Sequence, residues 1–388
     1  MAGGSQVRQA ASEERRLSRP PHRAHGTAGE LWGLGAGRQQ HRSPNAVALD
    51  FQNGRLAVFI STSLAGLVIV NLIWLPFSSI HPAKVLWLST MAASPLVVLW
   101  GALGGIRYQL RKTPFRFRDR SRVFAARLQT AVAAWTVTAA LSVALLLFSY
   151  LASATDRPLM DRYLAAGDAA LGFDWTAYVS LLNDHQSIAE ALSMAYRSLQ
   201  VQLLLLPAIL ALTGRSGRLL EFIALYGLAG CLTCLVVIAV PAAGAFNFYH
   251  PPTEILSSFG PGASTRHLEQ LHALRTLQPF LIEHPEGLVT FPSFHSALAV
   301  LFAYSVRGIR YVALPIYGLN VMLILAAVPQ GSHYLIDVLA GFAIAAISIQ
   351  IVWWIAHAPM PIAASGELAP STQKEARDAV SDHVLHKQ

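Results

Sequence analysis

Two histidines and one aspartate carry most of the chemical potential of this chain. Ionisable side chains are rare in its apolar segments: the clearest are His295, His333 and Asp337, with Glu221 and His357 near segment ends. An ionisable group at such a position is costly and is a functional candidate for that reason. His333 stands in Gly331-Ser332-His333-Tyr334-Leu335-Ile336-Asp337, one helical turn before Asp337. That spacing places both on one helix face. The carboxylate can accept the Nδ1 proton of the imidazole and leave Nε2 as a nucleophile or base. His295 stands in Thr290-Phe291-Pro292-Ser293-Phe294-His295, where Ser293 can cap a helix that Pro292 precedes. A helix N-terminus offers free N–H groups to an anion. Taken singly, these residues also suit plainer roles, a capping histidine and a hydrogen-bonded structural pair.

These residues must be positioned by membrane helices. Of 388 residues, 54% are hydrophobic and 13% charged, with a mean hydropathy of +0.44. A soluble chain carries about 25% charged residues. Disorder is excluded for most of so apolar a chain, a collagen-like fold is excluded too, and two cysteines cannot staple a small fold. The reading is an all-α, polytopic transmembrane bundle of about eight spans. They are Leu56–Phe77, Val85–Ile106, Leu128–Ala152, Met194–Leu212, Leu219–Ala243, His295–Val306, Tyr311–Val328 and Tyr334–Ala356. The sixth is short and begins near the His295 motif. The segments lack the short alternating pattern of a membrane β-barrel. Three regions follow: a disordered basic tail at 1–54, a membrane-embedded domain at 55–357 and a second disordered tail at 358–388.

The net charge is +8 at pH 7. Its location argues for topology and against nucleic-acid binding. Arg107, Arg111, Lys112, Arg116, Arg118, Arg120, Arg122 and Arg127 cluster between the second and third spans, which makes that loop cytoplasmic. Alternation then places Arg215, Arg218, Arg307, Arg310 and both termini inside. The loops Ser153–Ser193 and Gly244–Phe294 fall outside, the first rich in Asp. His295 and His333 each begin a helix that enters from outside, so both motifs share one face. The patch Ala263–Leu277 repeats Leu every third residue and is either a packed cap or a lid. Cys231 and Cys234 sit among Leu, Val and Ile and read as small packing residues, not as a redox or zinc pair.

With the motifs in view, the chain resembles the type 2 phosphatidic acid phosphatase superfamily. The PSFH and HYLID segments carry the likeness, which spans roughly Ser193 to Ala356. It is nearer to the inositol-phosphorylceramide-synthase-like (inositolphosphotransferase) branch, where an apolar residue replaces the Gly of P-S-G-H. The resemblance implies that His333 attacks phosphorus to form a phospho-histidine, that Asp337 orients it and that His295 protonates the leaving oxygen. Ser293 would hold phosphate oxygens. The phosphatase pattern has an Arg where this chain has Ala327, and its upstream Lys and Arg-Pro pair has no clean copy. The cation must come from elsewhere: Arg197, Arg266 or, as the favoured candidate, Arg275 on the outer loop. The expectation is a metal-independent phosphatase or phospho-head-group transferase. It would need no cofactor and would act on a lipid phosphate at the extracytoplasmic face, facing the periplasm from a bacterial inner membrane. Its partners would be membrane lipids. The alternatives are a transporter using His333–Asp337 as a proton relay and a metal site built from His295, His333 and Asp337.

Overall fold

The structure, a computed structural model, describes residues 44–112, 118–252, 254–255, 259 and 265–358. Helix α1 (Pro44–Trp74) leads through a short Ile80–His81 strand, β1, to α2 (Ala83–Lys112) and α3 (Arg118–Ser153). Two short helices follow, α4 (Asp161–Ala170) and α5 (Trp175–Asn183), then the long α6 (Gln186–Leu212) and α7 (Ser216–Ala239). Next come α8 (Ala245–Tyr249), α9 (Arg266–Arg275) and strand β2 (Phe280–Leu281). The chain closes with α10 (Phe294–Ser305), α11 (Arg310–Gln330) and α12 (Leu335–His357). This is an all-α polytopic bundle and an integral membrane protein. Among the described residues seven helices, α1, α2, α3, α6, α7, α11 and α12, are long and apolar enough to cross a membrane.

The expected sixth span is different. Helix α10 has 12 residues, about 18 Å at 1.5 Å per residue, against a hydrocarbon core of about 30 Å. It survives because protein surrounds it: Leu298, Ala299, Leu301 and Phe302 are at most 2% exposed. Helix α12 comes very close to it at Gly341, where a Cβ would lie 2.4 Å from the Ser293 carbonyl oxygen. Small residues permit such approaches between membrane helices. Around α10 stand α3, α6, α7, α11 and α12, and their shared apolar core includes Leu141, Leu206, Leu210, Phe222 and Leu323. Helix α2 packs on α3 and buries only Val85 and Leu103. Its exposed Trp87, Val97, Val98 and Trp100 suit a face turned to lipid. Pro95, Pro207, Pro315 and Pro329 lie inside membrane helices, which tolerate them.

Helix α1 starts at Pro44 and so takes in residues 44–54, which the sequence reading gave to the N-terminal tail. The rest of that tail, the C-terminal tail beyond 358, and Arg116 lie outside the described residues. Helix α9 carries Leu271 and Leu274 buried, whereas Leu277 falls beyond its end, exposed and with a φ of 55°. The leucine repeat therefore overruns the helix. Two-residue strands were not legible from sequence: β1 pairs in parallel with β2 and joins the α1–α2 connection to the segment after α9. Tyr150 of α3 secures the same cap. Its hydroxyl donates to Gln270 Oε1 at 2.6 Å and accepts from the Glu286 N–H at 2.9 Å.

Candidate active site

Helices α10 and α12 begin side by side. The Ser293 N–H donates to the Asp337 carbonyl at 3.0 Å, joining the two starts directly. His295, in the first turn of α10, and His333, just ahead of α12, bring their rings to 6.4 Å between centroids, tilted by 59°. Asp337 Oδ2 accepts from the Tyr334 N–H at 2.9 Å and faces His333 Nδ1 at 3.3 Å. Its Oδ1 is buried with no hydrogen-bond partner. Tyr196 of α6 stacks on His295 at 4.4 Å and 14°, with its hydroxyl 3.4 Å from Nδ1. Gly331 fits between these groups, since a Cβ there would meet His333 Cδ2 at 2.6 Å and Tyr196 Oη at 2.8 Å.

A cavity of about 360 Å³ opens on both imidazoles. Arg197 and Gln200 of α6, His267 of α9, Glu286, and Gln330 of α11 supply its other polar walls. Arg197 is exposed and engages no other side chain among the described residues. The Gln330 amide donates to the Phe259 carbonyl at 2.9 Å, while its Oε1 is buried without a partner. Among the described residues no cluster of three or more His, Cys, Asp or Glu side chains could hold a metal ion.

The expected site residues therefore divide. His295, His333 and Asp337 converge, and Arg197 joins the two histidines at the cavity. Ser293 is fully buried and outside the cavity wall. Its Oγ caps α10, accepting from the Ser296 N–H at 3.3 Å and from the Ser296 hydroxyl at 3.0 Å. Arg275 also lies elsewhere: its guanidinium donates to the carbonyls of Thr155 at 2.8 Å and Arg157 at 2.5 Å. It ties α9 to the end of α3. Cys231 and Cys234 are free thiols on α7. Glu221 pairs with Arg307 at 2.8 Å, at the ends of α7 and α10 remote from the histidines.

Two functional carboxylates escaped the sequence reading. Asp168 of α4 accepts from the N–H groups of Leu335 and Ile336, both at 2.9 Å, and so caps α12 from another element. Asp161, two turns earlier, accepts from Ala243 N–H at 3.0 Å, Gly244 N–H at 2.7 Å and the Tyr334 hydroxyl at 3.0 Å. Trp175 of α5 donates to the His333 carbonyl at 3.1 Å. Ser332, in the left-handed region at φ 56°, accepts from Ala245 N–H through its carbonyl and from Phe246 N–H through Oγ. Asp161, Asp168, Trp175 and Ser332 thus hold the backbone around His333 from several elements, and such support keeps a side chain to a narrow geometry. A signal existed: Asp161, Leu164, Ala165 and Asp168 share one buried face of α4.

Burial holds the His333 imidazole below the ordinary histidine value, opposed by a hydrogen bond with the Thr290 backbone. Burial also pushes Asp168 up, while its bonds to Leu335 and Ile336 pull it back down. A neutral His333 with Nδ1 turned to a carboxylate has Nε2 available for attack. Burial, and then the nearby His333, lower the His295 imidazole further, to about 3, so it takes up a proton only once an anion stands beside it.

A PAP2 superfamily model matches residues 162–351. This part of the chain is similar to the PAP2 superfamily, and the match supports that family for it. The match runs from α4 through most of α12 and contains His295, His333, Asp337, Arg197 and Asp168. The likeness supports a phosphatase-type function toward lipid phosphate, which is phosphoric-ester chemistry within a membrane. No curated protein and no solved structure matches the chain.

Proposed function

We propose that this protein is a phosphatase or phosphotransferase acting on a lipid-linked phosphate through a phospho-histidine. The single observation that carries the reading is the convergence of His295 and His333, from two adjacent helix starts, on one cavity walled by Arg197. In the first step His333 Nε2 attacks phosphorus while Nδ1–H donates to Asp337. The phosphorus–oxygen ester bond breaks, and His295 gives its proton to the leaving alkoxide. Arg197 balances charge on the equatorial oxygens, the role for which Arg275 was expected. In the second step His295 takes a proton from water or an alcohol, which attacks phosphorus and releases His333. Water gives free phosphate and an alcohol gives a transferred head group. The inositolphosphotransferase-like branch corresponds to the second outcome.

The active face is the extracytoplasmic one in this reading. Support comes from Arg127, Arg215, Arg218 and Arg307, which gather at the opposite helix ends. The protein then resides in a bacterial inner membrane with both termini cytoplasmic. The chemistry proceeds without a metal or cofactor.

Purified protein is expected to release phosphate from labelled lipid phosphates, or to move the labelled group to an added alcohol, with activity unchanged by EDTA. Acid quenching should trap label on His333, and His333→Ala should lose both label and turnover. Normal turnover by His333→Ala would overturn the nucleophile assignment. Substrate-driven proton flux in liposomes without phosphate chemistry would overturn the enzyme reading.

A further inference from the structure

A second cavity, of about 370 Å³, adjoins the first. Both share Leu199, Gln200, Val289 and His295 as walls. Beyond His295 the second cavity descends between α3, α6, α7 and α10. Leu145 and Leu146, Leu203, and Leu298 line it from α3, α6 and α10. It ends where Ser142 Oγ and the Tyr226 hydroxyl meet at 2.7 Å. Ser149 to Ser142 along α3 is about 10 Å of helix, and Cys234 to Tyr226 along α7 about 12 Å. The slot therefore reaches from the active face to about the middle of a core of about 30 Å. On its wall Thr233 is 2% exposed, and its Oγ1 has no hydrogen-bond partner.

We propose that this slot holds one alkyl chain of the substrate, seated so that the phosphate at its head lies between His295 and His333. The inference rests on the lipid-phosphate reading above and adds a measuring function to it. Apolar walls inside membrane-spanning helices suit a hydrocarbon, and the shared His295, Leu199, Gln200 and Val289 put the slot directly beside the catalytic cavity. The volume of about 370 Å³ suits one chain. An extended alkyl chain advances about 1.3 Å per carbon, the projection of a bond of about 1.5 Å, so the depth takes roughly eight to ten carbons before the Ser142–Tyr226 pair stops them. Longer chains must turn out toward lipid. Since lipid is as apolar as the slot, discrimination comes from packing against these walls. His295 is held on one side by Tyr196, so a chain along the slot also sets the depth of the phosphate against the general acid.

The test uses monomeric n-alkyl phosphates from butyl to tetradecyl with purified full-length protein. kcat/KM is expected to climb with each methylene to about ten carbons and then level off. The ceiling is about four-fold per methylene, as for a fully buried CH2. Leu203→Trp and Leu146→Trp, which fill the slot, should lower the decyl-to-butyl ratio of kcat/KM at least ten-fold. Leu203→Ala should move the plateau to longer chains. In parallel, a decyl phosphonate with a terminal diazirine should label residues within 142–149 or 226–234 of the wild type, a readout that needs no turnover. An unchanged ratio in the filled variants, or label confined to α1 and α2, would overturn the slot while leaving butyl phosphate hydrolysis intact. If the wild type hydrolyses no alkyl phosphate of any length, the lipid-phosphate reading fails and the slot falls with it.

Discussion

Asp168 caps the helix that starts at Leu335 although 167 residues separate them in sequence. The carboxylate takes the place that a local Ser or Asp side chain fills at most helix starts. Tyr334, the residue at the cap position, has no such acceptor of its own. The turn that carries His333 thus depends on α4, a short helix outside the membrane-spanning set. Asp168→Asn keeps one acceptor but turns an NH2 group against a main-chain N–H. It should cost about 1–3 kcal/mol of stability, as for a buried donor left unpaired. It should lower kcat more than it raises KM, because it misplaces His333 without touching the substrate. Thermal unfolding and steady-state kinetics together check this. Asp168→Glu should recover part of kcat, whereas a loss confined to KM would contradict a positioning role.

Arg197 and Arg275 invert the order expected from sequence. Arg275 looked suitable because it stands 20 residues before His295 on the candidate lid, but linear proximity gave no information on its partners. Its guanidinium is spent on two carbonyls. Arg197 faces the cavity with no competing partner among the described residues. Arg197→Ala should therefore weaken substrate capture by about 1.5–3 kcal/mol, the range for a charge-assisted hydrogen bond, or roughly ten- to a hundred-fold in kcat/KM. Arg275→Ala should chiefly lower the melting temperature. Kinetics and melting of the two variants side by side decide between the roles.

His295 can be separated from His333 by the leaving group. His295→Ala should lose about 10²–10⁴ in rate on alkyl phosphates, whose alkoxides need a proton. On p-nitrophenyl phosphate, whose leaving group departs without one, the loss should be much smaller. Equal losses on both substrates would argue against a general-acid role.

How far the chain could be read in advance follows from the range of each interaction. The membrane helices were legible because lipid imposes a long apolar run, independent of neighbours. His333 and Asp337 were legible because both lie within one turn. Helix α10 was harder, since its 12 residues make sense only inside a ring of other helices. Ser293 was read both as the cap of its helix and as a phosphate ligand. A serine at a helix start can cap or bind, and here Ser296 engages its oxygen. Asp161 and Asp168 were absorbed into an acidic outer loop, because their partners lie 82 to 173 residues away.

Gly341 offers a test of the α10–α12 junction. A methyl group there would meet the Ser293 carbonyl oxygen at 2.4 Å and Ser296 Cβ at 3.1 Å. Backbone cannot yield as a flexible side chain can, so Gly341→Ala must move α10 against α12. The cost should be about 1–3 kcal/mol, typical of an overpacked core, with a fall in kcat as the two histidines shift. Gly66→Ala, with nothing within 4 Å of its added methyl, is the matched control and should change neither. Melting temperature and kcat of both variants measure the difference.

The acid limb of the pH profile should report His333. Burial lowers its folded-state value below the ordinary histidine range, so the imidazole stays neutral and nucleophilic under mildly acidic conditions. In the free enzyme kcat/KM should hold as pH falls through about 6.5, the ordinary histidine value, and decline only below it. The same shift affects stability. An unfolded His333 takes up its proton near pH 6.5 while the folded one does not. Its contribution is therefore present above that pH and is lost as pH falls through the unfolded value toward the folded one. His333→Gln should flatten that part of the stability curve. A wild-type acid limb at or above the ordinary histidine value would show that the attacking imidazole is not the buried His333.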